Sequence, residues 1–433
     1  MGVTGAARAV IVSRALMRAL VRTPLAAASL FALSLSLQAR DGRADPMDLS
    51  LNRLSYYNDT PWVGGGVNYD PARWRFNGGC GTSATGAAGG QPFAQCYADN
   101  QRWANLVNQL GVALAPGLSA PAMTLGFSGF YVGYEMAVTN LQSEDDAWRR
   151  GTQGGLTSLV GTGTAASRDR GDTNAFVSRL HVRKGLPLGF ELGTQVSHLH
   201  SSNIWAIGLD LRWSLFEGFR RGIGYLPDFA IRGSVNTMVG QQQMSLTVVG
   251  LDAMLSKRFT LGGQVRLTPF LGGQYLMILG DSGVVDFSPT RSAFNECPRQ
   301  EIRYVPDARP PADPLRSPSG LIGQLQCGTG GQVAAPGLPG DLNDTRNSGV
   351  FAAMRIQHAR MIAGLQLQWE IFTVSGEFAF DMMPPSFFRT PSTDAGLPST
   401  APAVMGQPAP RTPITLNDYR QWTTTIAVGL TFQ

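Results

Sequence analysis

The residues most able to do chemistry sit in one short run, His200-Ser201-Ser202-Asn203. A histidine two residues before a serine can take the hydroxyl proton as the serine attacks an ester. His200 is then the candidate base and Ser202 the candidate nucleophile. The orienting carboxylate is not evident, since Glu217, the nearest glutamate downstream, falls at the opposite end of the following segment. A polar hairpin turn suits the same four residues equally well. His198 and His200 alternate with Leu199 and share a face, yet no third ligand completes a metal site. No metal or cofactor is therefore expected. GxSxG, Walker A and HExxH motifs are absent, and Gly64-Gly65-Gly66 lacks the strand–helix context of a nucleotide fold.

A larger charged set recurs on one side of alternating segments. It comprises Glu135, Arg179, His181, Arg183, Glu191, Asp210, Arg212, Arg232, Asp252, Arg266, Arg360, Glu377 and Asp381. Six arginines and a histidine meet six carboxylates, a balance that argues against a simple anion or cation pore. Two readings stay open. The set closes an interior with ion pairs, because unpaired buried charge is expensive, or it lines a path that selects a polar or charged solute.

The four cysteines, Cys80, Cys96, Cys297 and Cys327, form an even count. Their spacing suggests two local bridges, Cys80–Cys96 and Cys297–Cys327, each closing a Gly/Pro-rich loop worth roughly 3 kcal/mol of closure in the chain-entropy model. A zinc site is the alternative, but no pair has CxxC spacing.

The elements that must position these residues have period 2. Segments begin at Leu125, Asn174, Leu188, Asn203, Asp228, Met244, Gln264, Ala359, Phe372 and Tyr419. In the cleanest, Trp205, Ile207, Leu209, Leu211, Trp213 and Leu215 alternate with Ala206, Gly208, Asp210, Arg212 and Ser214. A soluble sandwich also alternates, but large apolar residues bounded by tryptophans fit a lipid-facing stripe with an aromatic girdle. In the sixth segment the parity shifts at Val248–Val249, which predicts a β-bulge. Connections after odd-numbered segments include the three longest, and those after even-numbered segments are short.

Composition agrees. Of 433 residues, 52 are Gly and 27 Pro, only 15% are charged and 43% are hydrophobic. Few charges without high hydropathy argue against helical membrane spans and charge-rich disorder alike. The net charge of +5 resides at the start. Residues 1–44 hold six of the 35 bases and one of the 30 acids, so removing them leaves 29 of each. A basic nucleic-acid surface therefore has no compositional support, and no nucleic-acid partner is expected. Only Lys184 and Lys257 are lysines.

Residues 1–22 are basic, Leu25–Leu37 is an apolar run, and small residues come next. This is the order of a secretory signal peptide, and the run is shorter than the ~20 residues a spanning helix needs. Cleavage is expected after Ala39 or Ala44, with Ala44 preferred. Residues 45–123 differ from the alternating segments, being Gly/Pro-rich in stretches. They contain one expected helix, Ala98–Leu110, with Trp103, Leu106, Val107 and Leu110 in a stripe. This region is read as a periplasmic or lumen-plugging segment before a barrel at 124–433.

From signal peptide to aromatic-rich final segment, the chain resembles bacterial outer-membrane β-barrels. The departure is Gln433 after Phe432, where the family closes on an aromatic. The resemblance implies an all-β, transmembrane, antiparallel up-and-down barrel of about ten strands, within roughly 8–14. It further implies the outer membrane of a Gram-negative bacterium, outer-membrane lipid and lipopolysaccharide as surroundings, and the barrel-assembly machinery as partner of the last strand. An N-terminal plug is similar to that of outer-membrane fatty-acid transporters, which have more strands. The omptin proteases share the strand count, but no Asp-x-His or His-x-Asp pair occurs here. His200 to Asn203 resembles the His-x-Ser-Asn motif of outer-membrane lipid A deacylases. The expected function is passage of an unidentified small solute or a structural surface role. The alternatives are lipid ester hydrolysis and binding through long extracellular loops.

Overall fold

A computed structural model describes residues 47–58, 74–75, 96–118, 120–152, 172–215, 226–241, 243–262, 264–287, 300–306, 321–327, 348–392 and 412–432. All belong to one compact unit, Asp45–Gln433. Residues 1–44, where a signal peptide is expected, lie outside the described residues, as do Cys80, Cys297 and Glu217. Cys96 and Cys327 are described in backbone only, so neither cysteine pairing is visible.

Ten antiparallel strands form the barrel: β1 Phe130–Asn140, β2 Asn174–Gly185, β3 Phe190–Leu199, β4 Trp205–Ser214, β5 Asp228–Val239, β6 Met244–Ser256, β7 Val265–Ser282, β8 Met354–Trp369, β9 Phe372–Asp381 and β10 Trp422–Phe432. Each pairs with its sequence neighbours. The seam closes where β10 meets β1, from Phe432 opposite Phe130 to Thr423 opposite Thr139. Full closure leaves the barrel no unpaired edge.

One end carries the long connections after β1, β7 and β9 and the turns after β3 and β5. The other carries the shorter ones, of which residues 215–227 are the longest. Period-2 alternation then divides the wall. Outward side chains include Leu209 and Ile426, 54% and 58% exposed, along with Leu211, Leu251, Leu365 and Val428. So wide an apolar surface is that of a barrel immersed in lipid. Aromatic pairs mark its borders. Phe190–Trp213 and Trp369–Phe372 stack at the short-turn end, and His198–Trp205 and Phe378–Trp422 meet towards the long-loop end.

Within this wall the bulge expected at Val248–Val249 is absent. β6 pairs with β7 without interruption through Val248–Ile278 and Val249–Met277. Its burial alternates unbroken, with Met244, Leu246 and Val248 inward. The apolar residues change sides because the interior changes character. Towards the long-loop end it is apolar and packs against a helix.

That helix is α1, Asn100–Ala113, capped by the Asp99 side chain, which accepts from the Arg102 amide. Pro116 comes shortly after its end, as suits a stop. It starts and ends later than the expected Ala98–Leu110. Trp103, Leu106, Val107 and Leu110 are buried with Leu246, Val248, Ile278 and Ile356 of the wall. The opposite face is buried too. Asn108 Oδ1 lies 2.6 Å from His358 Nε2, and Gln109 Oε1 accepts from the Gln142 amide at 2.8 Å. Seated in the barrel mouth, α1 has no solvent face. A second helix, α2 (Asp146–Gly151), packs beside it from the connection after β1.

Candidate functional site

Below α1 the chain runs on as an irregular tether, described at residues 114–118 and 120–125, through the barrel to the start of β1. Its surroundings are the charged set. The wall's own amides and carbonyls are committed to the β-ladder, so the tether's backbone must find side chains, because a buried unpaired polar group is costly. The inward arginines supply the donors. Arg179 Nη2 donates to the Ala115 carbonyl at 2.6 Å, Arg232 Nη1 to Gly117 at 2.7 Å and Arg212 Nη1 to Pro121 at 3.2 Å. Asn236 Nδ2 reaches Leu114 O at 2.6 Å and Gln274 Nε2 reaches Pro116 O at 3.1 Å. Acceptors complete the set. The amides of Leu118, Ala122 and Leu125 donate to Glu377 Oε1, Ser256 Oγ and Glu191 Oε2. Pro116 and Pro121 carry no N–H to satisfy.

The same residues pair with one another. His181 stands between Glu135, 2.9 Å from Nδ1, and Asp210, 3.0 Å from Nε2. Arg183 and Arg212 share Glu191 Oε1, each at 3.2 Å. Arg232 Nε donates to Asp252 Oδ2 at 2.7 Å. Arg360 Nε and His358 Nδ1 both approach Asp381, at 3.4 Å. Arg183 also lies over the Tyr131 ring at 4.1 Å. That ring needs the bare backbones of Gly133 and Gly429, where a Cβ would come within 2.0 and 2.5 Å of its atoms. Of the thirteen residues singled out from the sequence, twelve are buried here. Arg266 keeps the inward parity but is half-buried at the short-turn rim.

Asn236 and Thr423, on the polar faces of their segments, belong to the same network, as do His358 and Gln274, which do not stand out in the sequence. His358 precedes the eighth segment as its alternation is read, from Ala359, whereas β8 starts at Met354. Its parity with Arg360 and Ile362 is the signal that finds it. Beside Pro116 a cavity of about 10 Å³, lined in part by Arg179, Arg360, Glu377 and Thr425, has room for no more than a single water.

The expected histidine–serine couple is not assembled. Ser202 is buried in the turn after β3, where Oγ donates to Leu199 O at 2.8 Å and accepts from the Ile204 amide at 3.1 Å. His200 instead meets the outward Ser178 through Nε2. A turn role accounts for Ser202, because both hydrogen-bonding directions of its hydroxyl serve the backbone. Asn203 is likewise engaged, its amide donating to Asp48 Oδ1 at 2.7 Å. Among the described residues no group of three or more His, Cys, Asp or Glu is arranged to hold a metal ion. No described helix is long and apolar enough to cross a membrane.

No protein-family model and no curated protein matches the chain. Solved structures do. Ail, the attachment invasion locus protein of Yersinia pestis, aligns over 71% of this chain and 99% of its own at 10% identity, with a TM-score of 0.21. Neisserial surface protein A aligns over 70% and 97% at 8% identity and a TM-score of 0.22. The KdgM porin aligns over 70% and 99% at 6% and 0.22.

Proposed function

We propose that the chain is an outer-membrane β-barrel of a Gram-negative bacterium, long-loop end outward, whose lumen is filled by its own N-terminal segment. Its role is structural and presentational at the cell surface, without a standing open pore. The observation carrying this reading is the bonding of Arg179, Arg212 and Arg232 to the tether carbonyls. With Glu191 and Glu377, these members of the charged set are engaged by a peptide that lies in the lumen. Outer-membrane lipid, with lipopolysaccharide on the outward side, surrounds the wall, and β10 is the segment offered to the barrel-assembly machinery.

The test is single-channel conductance of the protein from Asp45 onward, refolded in lipid and checked for heat-modifiable gel mobility. A folded barrel without current steps is the expected result. Discrete, reproducible steps would establish an open path and overturn the filled lumen. A chain that never folds in lipid would remove the membrane reading.

A further inference from the structure

We infer that the barrel presents its own N-terminal segment on the outer face of the membrane, with residues 114–125 as the portion left in transit. The inference rests on the long-loop end facing outward, as proposed for the barrel. It goes beyond that reading because it places residues 47–58 and 96–113 outside the cell, although a secretory leader expected at residues 1–44 would deliver them first to the periplasm.

Two sets of contacts fix the ends. At one, the Met47 amide donates to Ser201 O at 2.8 Å in the turn after β3, and the Ser50 amide donates to Gly151 O at 2.8 Å in the connection after β1. Leu49 also forms a β-bridge with Thr152. All three partners lie at the long-loop end. At the other, the Ala122 amide meets Ser256 at the foot of β6 and the Leu125 amide meets Glu191 at the foot of β3. Between them the tether's partners descend the wall, from Asn236 through Arg232 to Arg212. An extended chain covers about 3.3 Å per residue, so residues 114–125 are long enough to cross a hydrocarbon core of about 30 Å.

The two lysines make the inference measurable. Lys184 Nζ donates to Ser128 O at 3.1 Å and Lys257 Nζ to Leu226 O at 3.3 Å, both at the short-turn end. Intact cells are treated with a membrane-impermeant amine-reactive label, and labelled sites are read by peptide mass spectrometry beside permeabilised cells. Two variants report the two questions separately. Glu144→Lys, in the exposed connection after β1, reports the orientation of the barrel. Asn52→Lys reports the N-terminal segment, and an epitope peptide inserted after Asn58 gives a second readout by antibody binding.

The expected result is label at both introduced lysines in intact cells, with Lys184 and Lys257 labelled only after permeabilisation and the epitope bound from outside. Label at the Glu144→Lys site alone, with no antibody binding, overturns the inference and leaves the orientation standing. Label at Lys184 and Lys257 in intact cells overturns the orientation itself. An N-terminal segment that reacts in neither preparation and binds no antibody also overturns the inference, since a shielded segment is not presented.

Discussion

Arg232 and Gly117 are joined by a 2.7 Å hydrogen bond from Nη1 to the carbonyl, while Nε of the same guanidinium holds Asp252 at 2.7 Å. One wall residue thus secures both its neighbouring strand and the peptide inside the barrel. This double use, repeated at Arg212 between Glu191 and Pro121, couples filling of the lumen to stability of the wall.

Replacing Arg232 therefore has two effects. Arg232→Met leaves Asp252, 2% exposed, as a buried charge without its partner, at a cost of about 3–5 kcal/mol. The temperature at which the folded gel band is lost should fall. Adding Asp252→Leu removes the orphaned charge, so the double variant should recover much of the loss. A double variant as unstable as the single one would show that the pair does not act as a unit.

Gly111 should not tolerate alanine. A Cβ there would lie 2.4 Å from Ile278 Cγ2, which outweighs the ~1 kcal/mol that alanine gains over glycine in a helix. Gly111→Ala should make residues 99–113 more sensitive to limited proteolysis, and Ile278→Ala in the same chain should restore resistance by clearing the space.

Ser202→Ala should act as a turn substitution. It removes one donor and one acceptor from the bend after β3, at a cost of about 1 kcal/mol in thermal stability. Lipid ester hydrolysis measured with the wild type, Ser202→Ala and His200→Ala should not differ. Hydrolysis by the wild type that Ser202→Ala abolished would restore the catalytic reading.

The contact between α2 and α1 should weaken as pH rises above the ordinary aspartate value. Burial raises Asp145 above the ordinary aspartate range, although hydrogen bonds from Ala147 and Asn417 oppose it. A raised folded-state value favours folding below the ordinary aspartate value and loses that contribution as pH rises through the folded value. Asp146 behaves oppositely. Burial pushes it up, but Arg102, Arg150 and Arg149 hold it low, so its contribution is present above the ordinary value and lost as pH falls through the depressed one. Protease resistance of the cap should be greatest near the ordinary aspartate value, and Asp145→Asn should flatten the decline on the alkaline side.

Barrel and wall were legible because the lipid and the interior impose opposite demands on alternate residues. From Trp205 to Leu215 the alternation is unbroken, and the tryptophans that bound it favour a lipid-facing stripe over a soluble sandwich. The same rule misled at β6, where Leu246 and Val248 face inward yet are apolar because α1 replaces charge as their neighbour. Ile278 and Ile356 repeat that inward apolar pattern at the same end, so comparing strands would have revealed a helix-lined mouth. The tether was not legible. Leu114–Ala122 has no periodicity, and its partners are side chains on distant strands, chosen by closure and not by local spacing. For Ser202 the sequence left a turn and a catalytic role both open, since the bonds that occupy its hydroxyl appear only once the turn is formed.

The two prolines of the tether bear on how the barrel reaches its correct strand count. An extended peptide held beside an unclosed sheet competes for the exposed edge and could add itself as an eleventh strand. Pro116 and Pro121 each withhold a ladder donor, so such pairing would fail at two places along the segment. The competition is thereby tilted towards β10, and the tether remains cargo inside the barrel and not part of its wall.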